Sequence, residues 1–298
     1  MKVIFPCIDN YLFSNLSNLT KVAIFLVLLM TCGPTFAQKK YDFDVSISGR
    51  GRPILLIPGY SCSGEVWVET VNHLKDKYEC HVLTLPGFAG QPAIKEAFLE
   101  TMRNEIIDYA KDKKMHHPIL LGHSLGGFLS LWIASAAPEL FQKVIVVDGV
   151  PFYPAMQNPN LNPDEVKKFI NRDALITQFT SMGNQQLSAY SENVARQLVT
   201  DSIRAKLIAG WQIHSDRFTL ASVFYEMMTT DIRQDLTKIT IPVLVLGSKY
   251  ETLEKSKQIL SEQYKYVKNL TLHNADSKHF IMYDQPTWFF NELDTFLK

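Results

Sequence analysis

One stretch constrains this chain more than any other: Leu120-Leu121-Gly122-His123-Ser124-Leu125-Gly126-Gly127. A short apolar run, Pro118 to Leu121, leads into it, and a helix-length segment, Phe128 to Ala137, follows at once. Strand, sharp turn and helix is the context in which a G-x-S-x-G match carries chemical meaning. Glycines two residues either side of Ser124 let strand and helix approach without a β-carbon clash. The serine at the tip takes up a crowded backbone conformation. Such a turn lifts Ser124 Oγ above the carboxyl edge of a sheet. It also aims the amide of Leu125 outward from a helix start, where an anion is favoured. The stretch therefore predicts Ser124 as a nucleophile.

The surrounding pattern is that of an α/β sheet. Pro53 to Ile57, Lys143 to Asp148 and Pro242 to Gly247 are continuous apolar runs, as expected of strands covered on both faces. Cys80 to Leu85 reads as a further strand, and Leu270 to Leu272 as a short last one. Tyr41 to Ser48 alternates apolar and polar, which predicts a half-buried strand turned back by Gly49 to Arg52. Helical spacing over Val66–Lys75, Ala97–Lys111 and Pro286–Leu297 separates them. Repeated units of this kind give a mostly parallel sheet with right-handed crossovers. Between Pro151 and about Leu236 the alternation stops, and only helical segments remain, among them Ser191 to Ile208 and Leu220 to Ile232. Asn162-Pro163-Asp164-Glu165 has the makings of a capped helix start. The reading is an all-helical cap, about 151–236, inserted between two core strands.

The chain has 298 residues, enough for one large α/β domain. Its 30 Lys+Arg balance 30 Asp+Glu, so nothing in the charge points to nucleic acid or an anionic membrane. Residues 1–37 differ from the rest: Val22 to Met30 is an uncharged apolar run after Lys21, and Thr35-Phe36-Ala37 supplies small residues for cleavage. That pattern predicts a signal peptide, with 38–298 as the mature domain, exported to the periplasm or beyond. The run is too short for a stable membrane span, although an uncleaved segment would act as an anchor. After cleavage only Cys62 and Cys80 remain. The expected strand–helix–strand connection separates them by about 15 Å, and a bridge needs Cα atoms within about 7 Å. Both are expected as free thiols.

Other residues converge on the carboxyl edge of the predicted sheet. His279 lies in the loop after the last short strand, where a general base could reach Ser124. His123 is expected to pack behind the site, and His116 and His117 to sit in a solvated loop at the opposite edge. Tyr60 follows Gly59 after the first covered strand, and its amide would join that of Leu125 as an oxyanion donor. Two acids compete for the third position, with Asp148 ahead and Glu251 the alternative, because a short side chain at the end of a buried strand can be locked against the imidazole. Asp148 ends a covered strand, and Glu251 follows Gly247-Ser248-Lys249-Tyr250. Asp276 is too near His279 along the chain, and Asp284 reads as a cap for the final helix. No Cys/His cluster has metal-ligand spacing, and the glycines surround a serine, not a phosphate-binding motif. No cofactor and no metal are expected. Phe152, Tyr153, Trp211 and Phe218 in the cap are expected mainly as core.

Pro58-Gly59-Tyr60 with Trp67, Gly122 to Gly127, Val146 to Gly149, Ile241 to Gly247 and His279 to Pro286 together resemble the α/β-hydrolase superfamily. The likeness runs from about Tyr41 to Lys298. It implies an α/β-hydrolase fold with a helical cap and a Ser–His–acid serine esterase, cleaving a small or medium carboxylic ester through an acyl-enzyme. Lactone, amide, C–C or peracid chemistry would use the same residues, and a non-catalytic binding protein would keep the same fold. The usual Gly-x-x-Asp after the strand Ile241–Leu246 is absent, which leaves Asp148 and Glu251 both open.

Overall fold

The computed structural model describes residues 41–298 apart from Glu96. The predicted signal peptide, 1–37, lies outside the described residues. Seven strands form one sheet in the order β1-β3-β2-β4-β5-β6-β7. They are β1 Asp44–Gly49, β2 Arg52–Ile57, β3 Tyr78–Thr84, β4 Ile119–His123, β5 Lys143–Val147, β6 Val243–Gly247 and β7 Leu270–Asn274. Only β1 runs antiparallel, against β3; every other pairing is parallel.

The continuous apolar runs resolve into two faces, because successive side chains of a strand point to opposite sides. Leu55, Ile57, Leu120, Val144, Val146, Val243 and Val245 join one core with helices α2 Phe98–Asp112 and α3 Leu125–Ala136. Ile54, Leu56, Leu121, Ile145, Val147, Leu244 and Leu246 join the other. Its helices are α1 Val68–Leu74 and the last helix, Pro286–Leu297, whose Phe289 and Leu293 are fully buried. β1 departs from its expected half-burial. Phe43 just before it is buried, but Ile47 is exposed, because β1 is an edge strand whose helix cover ends near its start.

Between β5 and β6 the chain is helical. After two short turns come α4 Arg172–Ser181, α5 Asn184–Leu198, α6 Ser202–Ile213 and α7 Arg217–Thr229. The single helical segment expected over Ser191–Ile208 is divided. Asp201 stops it, its carboxylate accepting from the amides of Ile203 (2.7 Å) and Arg204 (2.8 Å) and starting α6 afresh. Asn162 makes the expected reciprocal cap with Glu165. α5 packs on α6, and α4 on α7.

The insertion is fastened to the core by backbone as well as by side chains. Glu226 of α7 accepts from the amides of Phe98 (3.1 Å) and Leu99 (2.8 Å) and so caps α2 from across the molecule. The Asp216 amide donates to Gly87 O at 2.7 Å, and the Gly90 amide to His214 O at 3.0 Å. Beyond β6, α8 Leu253–Gln263 precedes β7, and α9 Pro286–Leu297 closes the chain.

Candidate active site

Ser124 stands between β4 and α3 with φ 53° and ψ −116°, a conformation that costs a non-glycine residue about 1–3 kcal/mol. The neighbouring glycines make it attainable. A β-carbon on Gly122 would sit 2.0 Å from Gly126 O, and one on Gly126 would sit 2.1 Å from Ile57 O. Strand, turn and helix are thus closer than any side chain permits. The Ser124 amide donates to Val147 O at 2.8 Å, which ties the turn to the end of β5. Ser124 itself is only partly covered and borders a cavity of about 720 Å³.

Asp148 follows β5 directly, also with a positive φ of 47°. Its amide donates to Leu246 O at 2.8 Å, so the turn is anchored on β6. The carboxylate is buried and fully engaged. Oδ1 accepts from Ser248 N at 2.7 Å and from the Tyr250 hydroxyl at 3.4 Å; Oδ2 accepts from Ser248 Oγ at 2.8 Å. His279 Nδ1 lies 2.5 Å from the same Oδ2. Side-chain exposure is 1 % for Asp148 and 24 % for His279, so the pair is dry on the acid side and open on the imidazole side. Glu251, the competing acid, is exposed. Asp276 is turned outward and pairs with Lys249. Ser248 and Tyr250, which hold the carboxylate, were not singled out in the sequence. Desolvation of its hydroxyl, and after it the Asp148 charge, pushes the Tyr250 phenol well up, so it stays a neutral donor.

The two amides expected as oxyanion donors come from two elements. Leu125 opens α3, where the first amides of a helix have no intrahelical acceptor. In the loop after β2, no protein acceptor takes the Tyr60 amide among the described residues. A β-carbon on Gly59 would lie 3.3 Å from Ser124 Cβ, so this loop passes directly against the serine. The Tyr60 phenol turns away and donates to Leu220 O at 2.6 Å.

His123 packs behind the site, as expected, with 1 % exposure. Its ring lies 4.6 Å from those of both His279 and Phe280, and Nε2 donates to His279 O at 3.2 Å. Burial, with His279 beside it, pushes its pKa well below the usual histidine value. It is a neutral prop for the loop that carries His279. His116 and His117 are exposed at the far edge.

Asp284 does not cap the final helix; Gln285 stands at that position without a side-chain bond. Instead its carboxylate accepts from the Thr200 amide (2.9 Å), the Thr200 hydroxyl (3.0 Å) and the Lys278 amide (3.1 Å). Lys278 Nζ in turn donates to Arg196 O (2.7 Å) and Val199 O (3.2 Å) at the end of α5. The Phe280 amide donates to Leu198 O at 3.2 Å. The loop around His279 is therefore bonded to the insertion on both sides. Sequence spacing gave no sign of this, since the partners are some eighty residues apart.

The cavity floor is the sheet edge just described, and its walls come from the insertion, including Met156, Phe179, Met227 and Met228. Of the four cap aromatics expected as core, Phe152 and Trp211 are buried, while Tyr153 is half exposed and lines the cavity. Phe218 lies against the Arg172 guanidinium. Cys62 and Cys80 are free, and burial pushes their thiols up to about 12 and about 11. Among the described residues no group of three or more His, Cys, Asp or Glu side chains is arranged to hold a metal ion. Nor is any helix among them long and apolar enough to cross a membrane.

The alpha/beta hydrolase fold family model matches residues 52–286, and the chain belongs to that family. Among curated relatives, a pimeloyl-[acyl-carrier protein] methyl ester esterase from Vibrio cholerae is 25 % identical over 212 residues, covering 71 % of this chain and 80 % of its own length. The enzyme of that name from Aeromonas hydrophila is 26 % identical over 245 residues, covering 80 % and 92 %. Among solved structures, an enol-lactonase from Burkholderia xenovorans superposes with a TM-score of 0.71 at 15 % identity, covering 86 % of this chain and 96 % of its own. A thermophilic esterase from Thermogutta terrifontis does so with a TM-score of 0.71 at 18 % identity, covering 88 % and 95 %.

Proposed function

We propose that this protein is a serine hydrolase that cleaves small or medium carboxylic esters through an acyl-enzyme. The observation that carries the reading is the 2.5 Å contact between His279 Nδ1 and the buried Asp148 carboxylate, on the edge of the cavity that Ser124 also borders. The methyl ester esterases among its relatives support the bond type.

The mechanism follows from the roles each group can fill. With Nδ1–H held by Asp148, the free Nε2 of His279 is an acceptor and takes the Ser124 proton as Oγ attacks the ester carbonyl. The Leu125 and Tyr60 amides donate to the resulting oxyanion, each contributing about 3 kcal/mol to lowering the barrier. The imidazolium formed is stabilised by the Asp148 charge and passes its proton to the departing alkoxide, which leaves as alcohol. Water then enters, gives a proton to His279 and attacks the acyl carbon. Collapse of the second tetrahedral intermediate returns that proton to Ser124 Oγ and frees the acid. No step calls for a metal or an organic cofactor. Residues 1–37 act in this proposal as an export signal. Sequencing the amino terminus of protein recovered from cell fractions checks this, with Gln38 expected first and Met1 counting against it.

The reaction is tested with a fluorophosphonate probe and a short-chain p-nitrophenyl ester, using Ser124→Ala as control. Labelling and turnover that vanish in the variant are expected. Neither labelling nor turnover in the native protein would leave a ligand-binding protein on a hydrolase fold.

A further inference from the structure

The cavity carries a polar group that ester hydrolysis does not use. Gln212 lies near the end of α6, on the insertion, and is 5 % exposed; with Ile208 one turn earlier it lines the cavity. Its side-chain amide bonds to no other described residue and is not sealed from solvent, so it is open to the cavity. The preceding residue is held: Trp211 Nε1 donates to Glu65 at 3.3 Å, and Trp211 O accepts from Ser215 Oγ at 2.9 Å. The Trp211–Glu65 bond ties the end of α6 to the segment after β2, beside Gln212. An amide held in place and facing a cavity bonds to water until a ligand group that can give and accept hydrogen bonds replaces that water. Ser61 has the same exposure and also lines the cavity, but it adjoins Tyr60 at the reacting end. Gln212 is on the wall that the insertion contributes.

The charges around the cavity restrict what Gln212 can receive. Lys249 is paired with Asp276, Lys278 is spent on the carbonyls that end α5, and Asp148 is committed to His279 and Ser248. Among the described residues, no lysine or arginine of the wall is without a partner to bind a carboxylate, while the remaining surface is rich in methionine, phenylalanine and leucine. We infer that the ester this site takes bears a second, uncharged hydrogen-bonding group, a hydroxyl or an amide, joined to the scissile carbonyl by an apolar spacer, and that Gln212 binds it. An amide side chain both gives and accepts, which suits such a group and gives no advantage to an ion. The inference rests on the ester-hydrolase reading and deepens it.

Two matched ladders of esters test it. One consists of methyl esters of ω-hydroxy acids from four to ten carbons, and the other of the corresponding ω-hydroxyalkyl acetates. Each is compared with its deoxy analogue, and the first also with the ω-carboxylate. In the native protein kcat/KM at the best chain length is expected to favour the hydroxy ester over its deoxy analogue by about three- to tenfold, the worth of one neutral hydrogen bond. The carboxylate should be the poorest substrate. Gln212→Leu and Gln212→Met should abolish the preference while turning over the deoxy ester at least as well as the native protein, which also reports on their folding. Turnover of the deoxy esters with no hydroxyl preference, or with a preference that survives in both variants, overturns this inference alone. Failure of the native protein to hydrolyse any ester overturns the hydrolase reading with it.

Discussion

Replacing Asp148 with asparagine isolates the acid with little change of shape, and the surrounding donors dictate how the new side chain must sit. One oxygen, Oδ1, accepts from the backbone amide of Ser248, which can only donate. The asparagine NH2 therefore cannot occupy that place and is driven to the position of Oδ2. There it meets Ser248 Oγ, which can rotate to accept, and His279 Nδ1, which can accept only by giving up its proton. The imidazole is pushed into the tautomer with its proton on Nε2, where it cannot receive the proton of Ser124. The charge-assisted bond lost is worth about 1.5–3 kcal/mol, and a buried donor facing a donor costs about 1–3 kcal/mol. Together these amount to about 2.5–6 kcal/mol, or a fall in kcat of roughly 10²- to 10⁴-fold. The assay is kcat on a short-chain p-nitrophenyl ester, with Tm measured alongside and Glu251→Gln as control. Glu251→Gln should leave kcat within about twofold of native, as expected for an exposed surface residue. A fall of less than tenfold in Asp148→Asn, or an equal fall in Glu251→Gln, would refute the reasoning.

Other predictions concern the parts around the acid. Gly126→Ala forces a methyl to within 2.1 Å of Ile57 O and 2.7 Å of Pro58 O, so a Tm drop equivalent to more than about 3 kcal/mol, or no soluble protein, is expected from thermal melts. His123 has a folded pKa pushed below its unfolded value, so stability is full above about pH 6.5 and declines as pH falls through that value. Denaturant titrations from pH 7.5 to 5 should show a shallower decline in His123→Gln, by up to about 1.4 kcal/mol per pH unit, and an unchanged slope would count against a buried neutral histidine. Cys62 and Cys80 should resist a thiol reagent at pH 8 in the native protein and both react in guanidinium chloride; one disulfide by mass would contradict the free-thiol geometry. Asp284→Ala removes three acceptor contacts beside His279, and kcat should fall by about tenfold with KM less affected.

What could be read beforehand was mostly local. The turn at Ser124 announces itself because its glycines are demanded by backbone contacts a few residues away. The covered strands announce themselves because a buried parallel strand must be apolar on both faces. In sequence Asp148 is favoured only modestly over Glu251, because the adjacency of β5 and β6, which brings Ser248 and Tyr250 to the Asp148 carboxylate and leaves Glu251 exposed, joins residues a hundred positions apart. Asp284 was misread for a related reason: an acid before a helix usually caps it, and here tertiary partners on the insertion outcompete the helix end. The break at Asp201 was hidden by apolar spacing that continues through it. The roles of the cap aromatics depend on which side of each helix faces the cavity, and mixed three- and four-residue spacing does not decide that.

The bonds that join Lys278, Phe280 and Asp284 to the end of α5 have a consequence for anyone who wishes to exchange the helical insertion for that of a relative. A graft cut at β5 and β6 would take Thr200 and the last carbonyls of α5 away and leave their partners, more than seventy residues downstream, holding nothing. The loop bearing His279 would lose its moorings although no residue in it had changed. The exchangeable unit of this fold is therefore discontinuous: the helices between β5 and β6 and the short segment 278–284 travel together. A chimaera that transplants both should work where one that transplants the insertion alone does not.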